Sequence, residues 1–237
     1  MDTLVGPSPR AASTGPGRSR DHGPVPTPKT AAEISYDAIR AAIIDGTHRE
    51  GTMLSENELA LTIGVSRTPI RSALTRLQDE GWLSIYPKRG ALVLGLSASD
   101  IAHLADARLI LESMGVQRAT TAARLELADR LEPQVAAQRA VLKSQDIGAF
   151  VELTTKFHRT FVEAGENPFL IELGDRLTDR QRLLLFTQKE QLFERTDQII
   201  QEHTGLIAHL RNDDPQGFSE ALRTHLIDTH GPEIGPM

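Results

Sequence analysis

From Thr30 onward the apolar positions fall at helical spacing. Ile34, Ala38, Ala41, Ala42 and Ile43 recur at three and four residues, and Gly46 follows where a left-handed C-cap would stand, which predicts a first helix over about 31 to 45. A short extended piece at Met53-Leu54 leads to Ser55 with Glu58 three residues on, the signature of a capping box, and predicts a second helix through Ile63. Gly64 ends it, Val65 can fill the angle between helices, and Ser66 is placed to cap a third helix with the stripe Ile70, Ala73, Leu74 and Leu77. Pro69 falls in the first turn of that helix, where a missing N–H costs nothing. After Gly81, residues 82–86 and 91–94 read as two strands around the turn Pro87-Lys88-Arg89-Gly90.

Past Ser97 the periodicity is helical throughout. Six helices are predicted, at about 98 to 122, 124 to 144, 147 to 164, 168 to 188, 190 to 212 and 215 to 229, with breaks at Gly165, Asn167-Pro168 and residues 213–215. Asp146 and Asp214 are candidate N-caps, and Pro133 is expected to kink the second of these helices or to delay its start to about Glu132. The expected class is mainly α: a winged helix-turn-helix over 30–96, from the order helix, helix, tight turn, helix, basic hairpin, followed by an all-α six-helix bundle over 97–232. Residues 1–29, rich in Pro and Gly and poor in large apolar side chains, are expected to be a disordered tail.

Composition narrows the classes. At 39% hydrophobic and 24% charged the chain reads as soluble and globular, and with no cysteine it excludes disulfides, thiol nucleophiles, iron–sulfur clusters and cysteine-ligated zinc. The opening residues lack a signal-peptide pattern, and no stretch approaches the ~18 apolar residues of a membrane span, so the expectation is a cytoplasmic protein without a membrane partner. The net charge of −6 is unevenly spread: +2 over 1–29, −1 over 30–96 and −7 over 97–237. Within the middle block, the stretch from Arg67 to Arg89 carries Arg67, Arg71, Arg76, Lys88 and Arg89 against only Asp79 and Glu80. That asymmetry suggests a small anion-binding module joined to an acidic one.

Three of the eight histidines project from the apolar side of separate helices. His158 follows Phe157 and precedes Phe161 by three, His203 lies between Ile199 and Ile207, and His225 lies four after Ala221 and three after Leu222. Each alone is compatible with a hydrogen-bonded core imidazole. Together they point to a shared centre, because separate burial would need three sets of partners. Arg108 shares a face with Ile101, Leu104, Leu111 and Gly115, where a charge needs a partner or a cavity; Glu112 at i+4 is the simple alternative to a ligand.

The residues also carry a family resemblance. The runs Leu54-Ser55-Glu56-Asn57-Glu58-Leu59-Ala60 and Gly64-Val65-Ser66-Arg67-Thr68-Pro69-Ile70-Arg71, then Leu77, Gly81-Trp82 and the Arg89-Gly90 wing, resemble the DNA-binding domain of GntR-family transcriptional regulators. Arg108 through Glu112, Phe157-His158-Arg159, Glu166-Asn167-Pro168, Glu202-His203 and Arg223-Thr224-His225 resemble the effector domain of its FadR-like (FCD) branch, and the six-helix count is similar to the VanR-like subgroup. The resemblance implies DNA contacts through Asn57, Ser66, Arg67, Thr68, Arg71, Lys88, Arg89 and Gly90, with Arg67 and Arg71 reading bases. It also implies a divalent metal, zinc or nickel-like, on His158, His203 and His225. The family's fourth ligand is an aspartate, and here that position is Thr154, which should weaken the metal.

The expected function is therefore a ligand-responsive DNA-binding regulator, a homodimer on an inverted-repeat operator in double-stranded DNA. It is expected to be a repressor released by a small carboxylate held near Arg108, with the segment from Gly95 to Ser99 passing the signal between domains. The alternative is a metal-responsive regulator whose effector is the metal itself. An enzymatic reading of three His plus water finds no support: no His-Glu-x-x-His, Gly-rich phosphate loop or Gly-x-Ser-x-Gly elbow occurs.

Overall fold

The computed structural model describes residues 28–230 together with Met1 and Gly6; nearly all of the expected tail over 1–29, and residues 231–237, lie outside the described residues. The elements run α1 (Ala31–Ile44), β1 (Met53–Leu54), α2 (Glu56–Ile63), α3 (Arg67–Asp79), β2 (Leu83–Tyr86), β3 (Gly90–Val93), α4 (Ala98–Arg118), α5 (Thr121–Lys143), α6 (Ile147–Glu163), α7 (Pro168–Thr187), α8 (Lys189–Arg211) and α9 (Pro215–His230).

The first six elements form a winged helix-turn-helix. Ile39, Ile43, Ile70, Leu74, Leu77, Trp82 and Leu83 make one apolar core, closed by a three-stranded antiparallel sheet in the order β1-β3-β2. Leu83 pairs with Val93 and Tyr86 with Gly90 across the hairpin, while Met53 pairs with Leu92. Gly90 sits at φ 118°, and a Cβ there would lie 2.3 Å from the Leu54 carbonyl oxygen, so the wing closes on β1 only with glycine.

The local signals hold in part. α1 buries Ser35, Tyr36, Ile39, Ile43 and Ile44, leaving Ile34 largely exposed, so the predicted stripe starting at Ile34 is a turn off the true core face. The Ser55–Glu58 capping box does not form: Ser55 is the N-cap of α2 but its side chain makes no cap bond, and the same is true of Ser66 on α3. Two other capping boxes do form, Thr30 with Glu33 on α1 and Ser97 with Asp100 on α4. Gly64, at φ 78°, ends α2 as expected.

All six later helices are present, packed around Phe150, Phe157, Phe161, Phe218, Leu127, Leu131, Leu206 and Leu222. The first break falls earlier than predicted, at Ala119, because Thr120 accepts a bond from the Ala123 N–H and caps α5. Pro133 lies inside α5, which starts at Thr121 and runs through it. Asp146 caps α6, and Asp214 accepts from the Gly217 N–H. No described helix is long and apolar enough to cross a membrane.

Candidate functional site

The three histidines meet in the bundle core. α6, α8 and α9 each bury one of them, and their ligand-capable ring atoms lie within 4.8 Å of one another. Aromatic residues of α6 fix the rings there: Phe157 stacks on the His203 ring at 4.2 Å, and Phe161 meets His158 edge-on at 5.9 Å. The rings have no contact with bulk water; His203 is wholly buried.

Each ring is held from behind. His158 Nδ1 lies 2.7 Å from Glu112 Oε2 on α4, His203 Nδ1 lies 2.7 Å from Gln138 Oε1 on α5, and His225 Nδ1 lies 2.7 Å from Glu202 Oε2 on α8. An ionised carboxylate or an amide oxygen only accepts, so each Nδ1 must donate and each Nε2 turns a lone pair inward. His158 Nε2 and His225 Nε2 then face each other at 3.1 Å, and His203 Nε2 is buried with no partner. Two facing lone pairs are tolerable only with a proton or a cation between them. Burial holds His158 and His203 well below the ordinary histidine range, so both are neutral, the form that binds metal, and burial likewise pushes the Glu112 carboxyl up.

Three inward Nε2 atoms, each with its Nδ1 held by an acceptor, fit a divalent metal. Thr154, one turn before His158 on α6, adds a buried hydroxyl whose Oγ1 also has no partner. Its hydroxyl is neutral, able to offer an oxygen but no charge. Sequence reasoning missed the roles of Gln138, Glu112 and Glu202 behind the rings, because those partners are 65, 46 and 23 residues from the histidines they hold.

Arg108 lies beside this centre and is almost fully buried. Its Nε donates to Glu112 Oε1 at 2.9 Å, so the i+4 pair exists, but in the interior and not on the surface. Glu112 thus bridges Arg108 and His158. Arg108, Glu112 and His158 line one cleft together with Leu111, Gly174, Thr178 and Gln181; His203, His225 and Thr154 are set behind His158 and do not line it.

A second constellation lies on the winged unit. Asn57, Arg67, Arg71, Lys88, Arg89 and Gly90 line a groove of about 510 Å³ between the N-terminus of α3 and the wing, while Ser66 and Thr68 are exposed beside it and do not line it. Arg67 Nη2 and Arg71 Nε both donate to Glu56 Oε2 at 2.8 Å. The bond from Arg67 is the main reason that the Glu56 carboxyl is held below its usual range. Glu56, absent from the sequence-based site, clasps both arginines on the groove side. The groove is open and basic, the character expected of a surface that meets a phosphate backbone.

The two units are joined through α7. Asp179 pairs with Arg40 of α1, and Arg180 Nη2 donates to the Glu80 carbonyl at 2.6 Å with its guanidinium 3.9 Å above the Trp82 ring.

Comparison with known proteins places these features together. Residues 31–93 match the profile described as bacterial regulatory proteins, gntR family, and residues 103–228 match the FCD domain. The chain is 28% identical over 197 residues to the gluconate operon transcriptional repressor of Bacillus licheniformis, covering 81% of each protein. It is 24% identical to the HTH-type transcriptional repressor RspR of Escherichia coli K12, covering 81% of this chain and 83% of that one. A solved structure of a protein described as a GntR transcriptional regulator from Rhodococcus sp. RHA1 shares the fold, with a TM-score of 0.67 at 23% identity over 84% of this chain and 95% of that one. The family consists of DNA-binding transcription regulators and not of enzymes. With both matches in register on one chain, and the FCD match alone covering more than half of it, this protein belongs to the GntR family of bacterial transcriptional regulators and carries an FCD domain.

Proposed function

We propose that this regulator is a cytoplasmic repressor that binds an inverted-repeat operator as a homodimer and is released by a small carboxylate. The observation that carries the effector reading is the cleft in which Arg108, already oriented by Glu112, stands next to a centre of three inward-facing Nε2 atoms in an otherwise acidic domain. An anion needs a local positive centre there. Arg108 supplies a guanidinium charge, and a metal on His158, His203 and His225 would keep its full dication charge, since Thr154 brings none to offset it. Two of the relatives are repressors of a gluconate operon, and gluconate is itself a sugar carboxylate, which makes it the first anion to test.

DNA recognition is assigned to Arg67 and Arg71 at the groove, with Asn57, Ser66, Thr68, Lys88, Arg89 and Gly90 positioning the backbone. The dimer surface is assigned to the outer face of α4, where Ile110 and Met114 are exposed beside the buried, partnerless Ser113 hydroxyl. A second reading, in which the metal alone is the effector, draws on the partnerless His203 Nε2.

Native mass spectrometry with elemental analysis of the purified protein tests both. A carboxylate retained in wild type and lost in Arg108→Ala supports the first reading; a metal whose addition alone abolishes operator binding, with carboxylates inert, supports the second.

A further inference from the structure

The cleft beside Arg108 is tight. It is narrow, with only about 20 Å³ reachable by the centre of a water-sized sphere, so an organic anion seats fully only if a wall gives way. Its walls are α4, α6 and α7. α4 and α6 cross with almost no clearance: a Cβ on Gly115 would lie 2.1 Å from the Phe161 carbonyl oxygen, and both helices bury large side chains in the bundle core. α7 also sets Leu185 into the bundle core, but its side away from the cleft is covered by the DNA-binding unit.

The sequence of α7 shows what backs it. Its cleft residues, Ile171, Gly174, Leu177, Thr178 and Gln181, recur at three and four and share one face. At 100° per residue, Asp179, Arg180 and Leu183 fall on the opposite side. That side meets the DNA-binding unit. Leu183 is part of the winged unit's apolar core, Asp179 pairs with Arg40 of α1, and Arg180 donates to the Glu80 carbonyl, the C-cap of α3, while stacking on Trp82. Glu80 in turn accepts from Tyr36 Oη at 2.6 Å and Trp82 Nε1 at 3.1 Å, tying α1, the end of α3 and the residue before β2 together. α7 is therefore a partition one helix thick between the cleft and the DNA-binding unit, meeting α1 and the C-cap of α3.

We propose that α7 is the coupling element, and that Arg180 is the positioning residue through which a ligand that widens the cleft shifts the C-terminal end of α3. This rests on the reading of the cleft as the effector site. A ligand larger than water displaces α7 away from α6, and the first groups to feel that displacement are Leu183, Arg180 and Asp179. The negative end of the α3 dipole then loses or shifts its cationic cap, and the base-reading arginines at the other end of the same rigid helix move with it. The covalent connection over 95–99 lines no part of the cleft and follows this movement.

The coupling can be tested in the full chain without any effector, by wedging the cleft with a side chain. A Cβ on Gly174 would already stand 3.3 Å from Val162 Cγ1, so Gly174→Leu pushes α7 off α6, and Thr178→Leu is a second wedge in the same cleft. Trp82 is the only tryptophan, so its emission reports the Arg180 contact directly. The DNA probe is a duplex selected by the wild-type protein from a random-sequence pool.

Either wedge, with wild-type far-ultraviolet dichroism, is expected to red-shift Trp82 emission and change affinity for that duplex by about five-fold or more. In an Arg180→Ala background the same wedge should change affinity by less than about two-fold. A folded wedge with wild-type emission and affinity, or a wedge effect undiminished by Arg180→Ala, overturns the proposal. Should neither wedge fold, amide exchange in the wild-type protein decides: duplex binding is expected to change protection over 174–183, and unchanged protection there rejects the coupling. Wedges that act while gluconate and other carboxylates fail to bind would refute the effector reading and leave the role of α7 standing.

Discussion

Arg67 and Arg71 share a single carboxylate oxygen of Glu56 in the DNA-free chain, so their guanidinium planes are already aimed into the groove before an operator arrives. Base reading by Arg71 predicts that Arg71→Ala costs ~1–3 kcal/mol of operator affinity and relaxes base preference at one position. Arg89→Ala in the wing should weaken all sequences alike and flatten the salt dependence. Fluorescence anisotropy across a salt series checks both, and unchanged affinity in Arg67→Ala and Arg71→Ala together would contradict the assignment. At the histidine centre, Thr154→Asp restores a carboxylate to a buried hydroxyl position and should tighten zinc by about ten-fold or more in a chelator competition. The three histidines were legible because each interrupts an apolar helical face. Their Nδ1 partners were not, since Gln138 on α5 and Glu112 on α4 become neighbours only when the bundle closes.

Helix spacing sets the chemistry at the next scale. Arg108 and Glu112 ride on α4 and His158 on α6, and the two helices approach through Gly115, where a Cβ would meet the Phe161 backbone at 2.1 Å and Val162 Cα at 2.9 Å. Gly115→Ala must therefore part the helices. It should cost ~1–3 kcal/mol by denaturant unfolding and also weaken zinc binding, because the Glu112–His158 contact is stretched. Equal zinc affinity in a folded, destabilised Gly115→Ala protein would separate packing from the metal centre. Most elements could be read from periodicity and Gly or Pro breaks, down to Asp146 as a cap. The errors have local causes: the Ser55 side chain leaves its capping role unfilled, Thr120 stops α4 sooner than the apolar pattern does, and the small residues Ala38, Ala41 and Ala42 gave α1 a stripe that Tyr36 and Ile39 in fact define.

For the whole molecule, the proposed dimer follows from size: one winged unit is expected to cover only a half-site, so two copies are expected on an operator. Light scattering is expected to show a dimer at micromolar concentration, and Met114→Glu on the outer face of α4 should shift it toward monomer with loss of operator binding; a monomer that binds the operator as tightly as wild type would contradict this. That α7 divides the cleft from the DNA-binding unit was invisible in the sequence, since periodicity shows one buried face of a helix but not that a second domain covers the other. The central claim, a repressor released by a carboxylate at Arg108, is tested most directly by titrating the labelled operator complex with gluconate and a panel of other carboxylates, neutral sugars and amines, in wild type and Arg108→Ala. The account predicts release by a carboxylate, with the midpoint raised about ten-fold or more in Arg108→Ala. Release by a neutral or cationic compound, or a midpoint unaffected by the loss of Arg108, would contradict it.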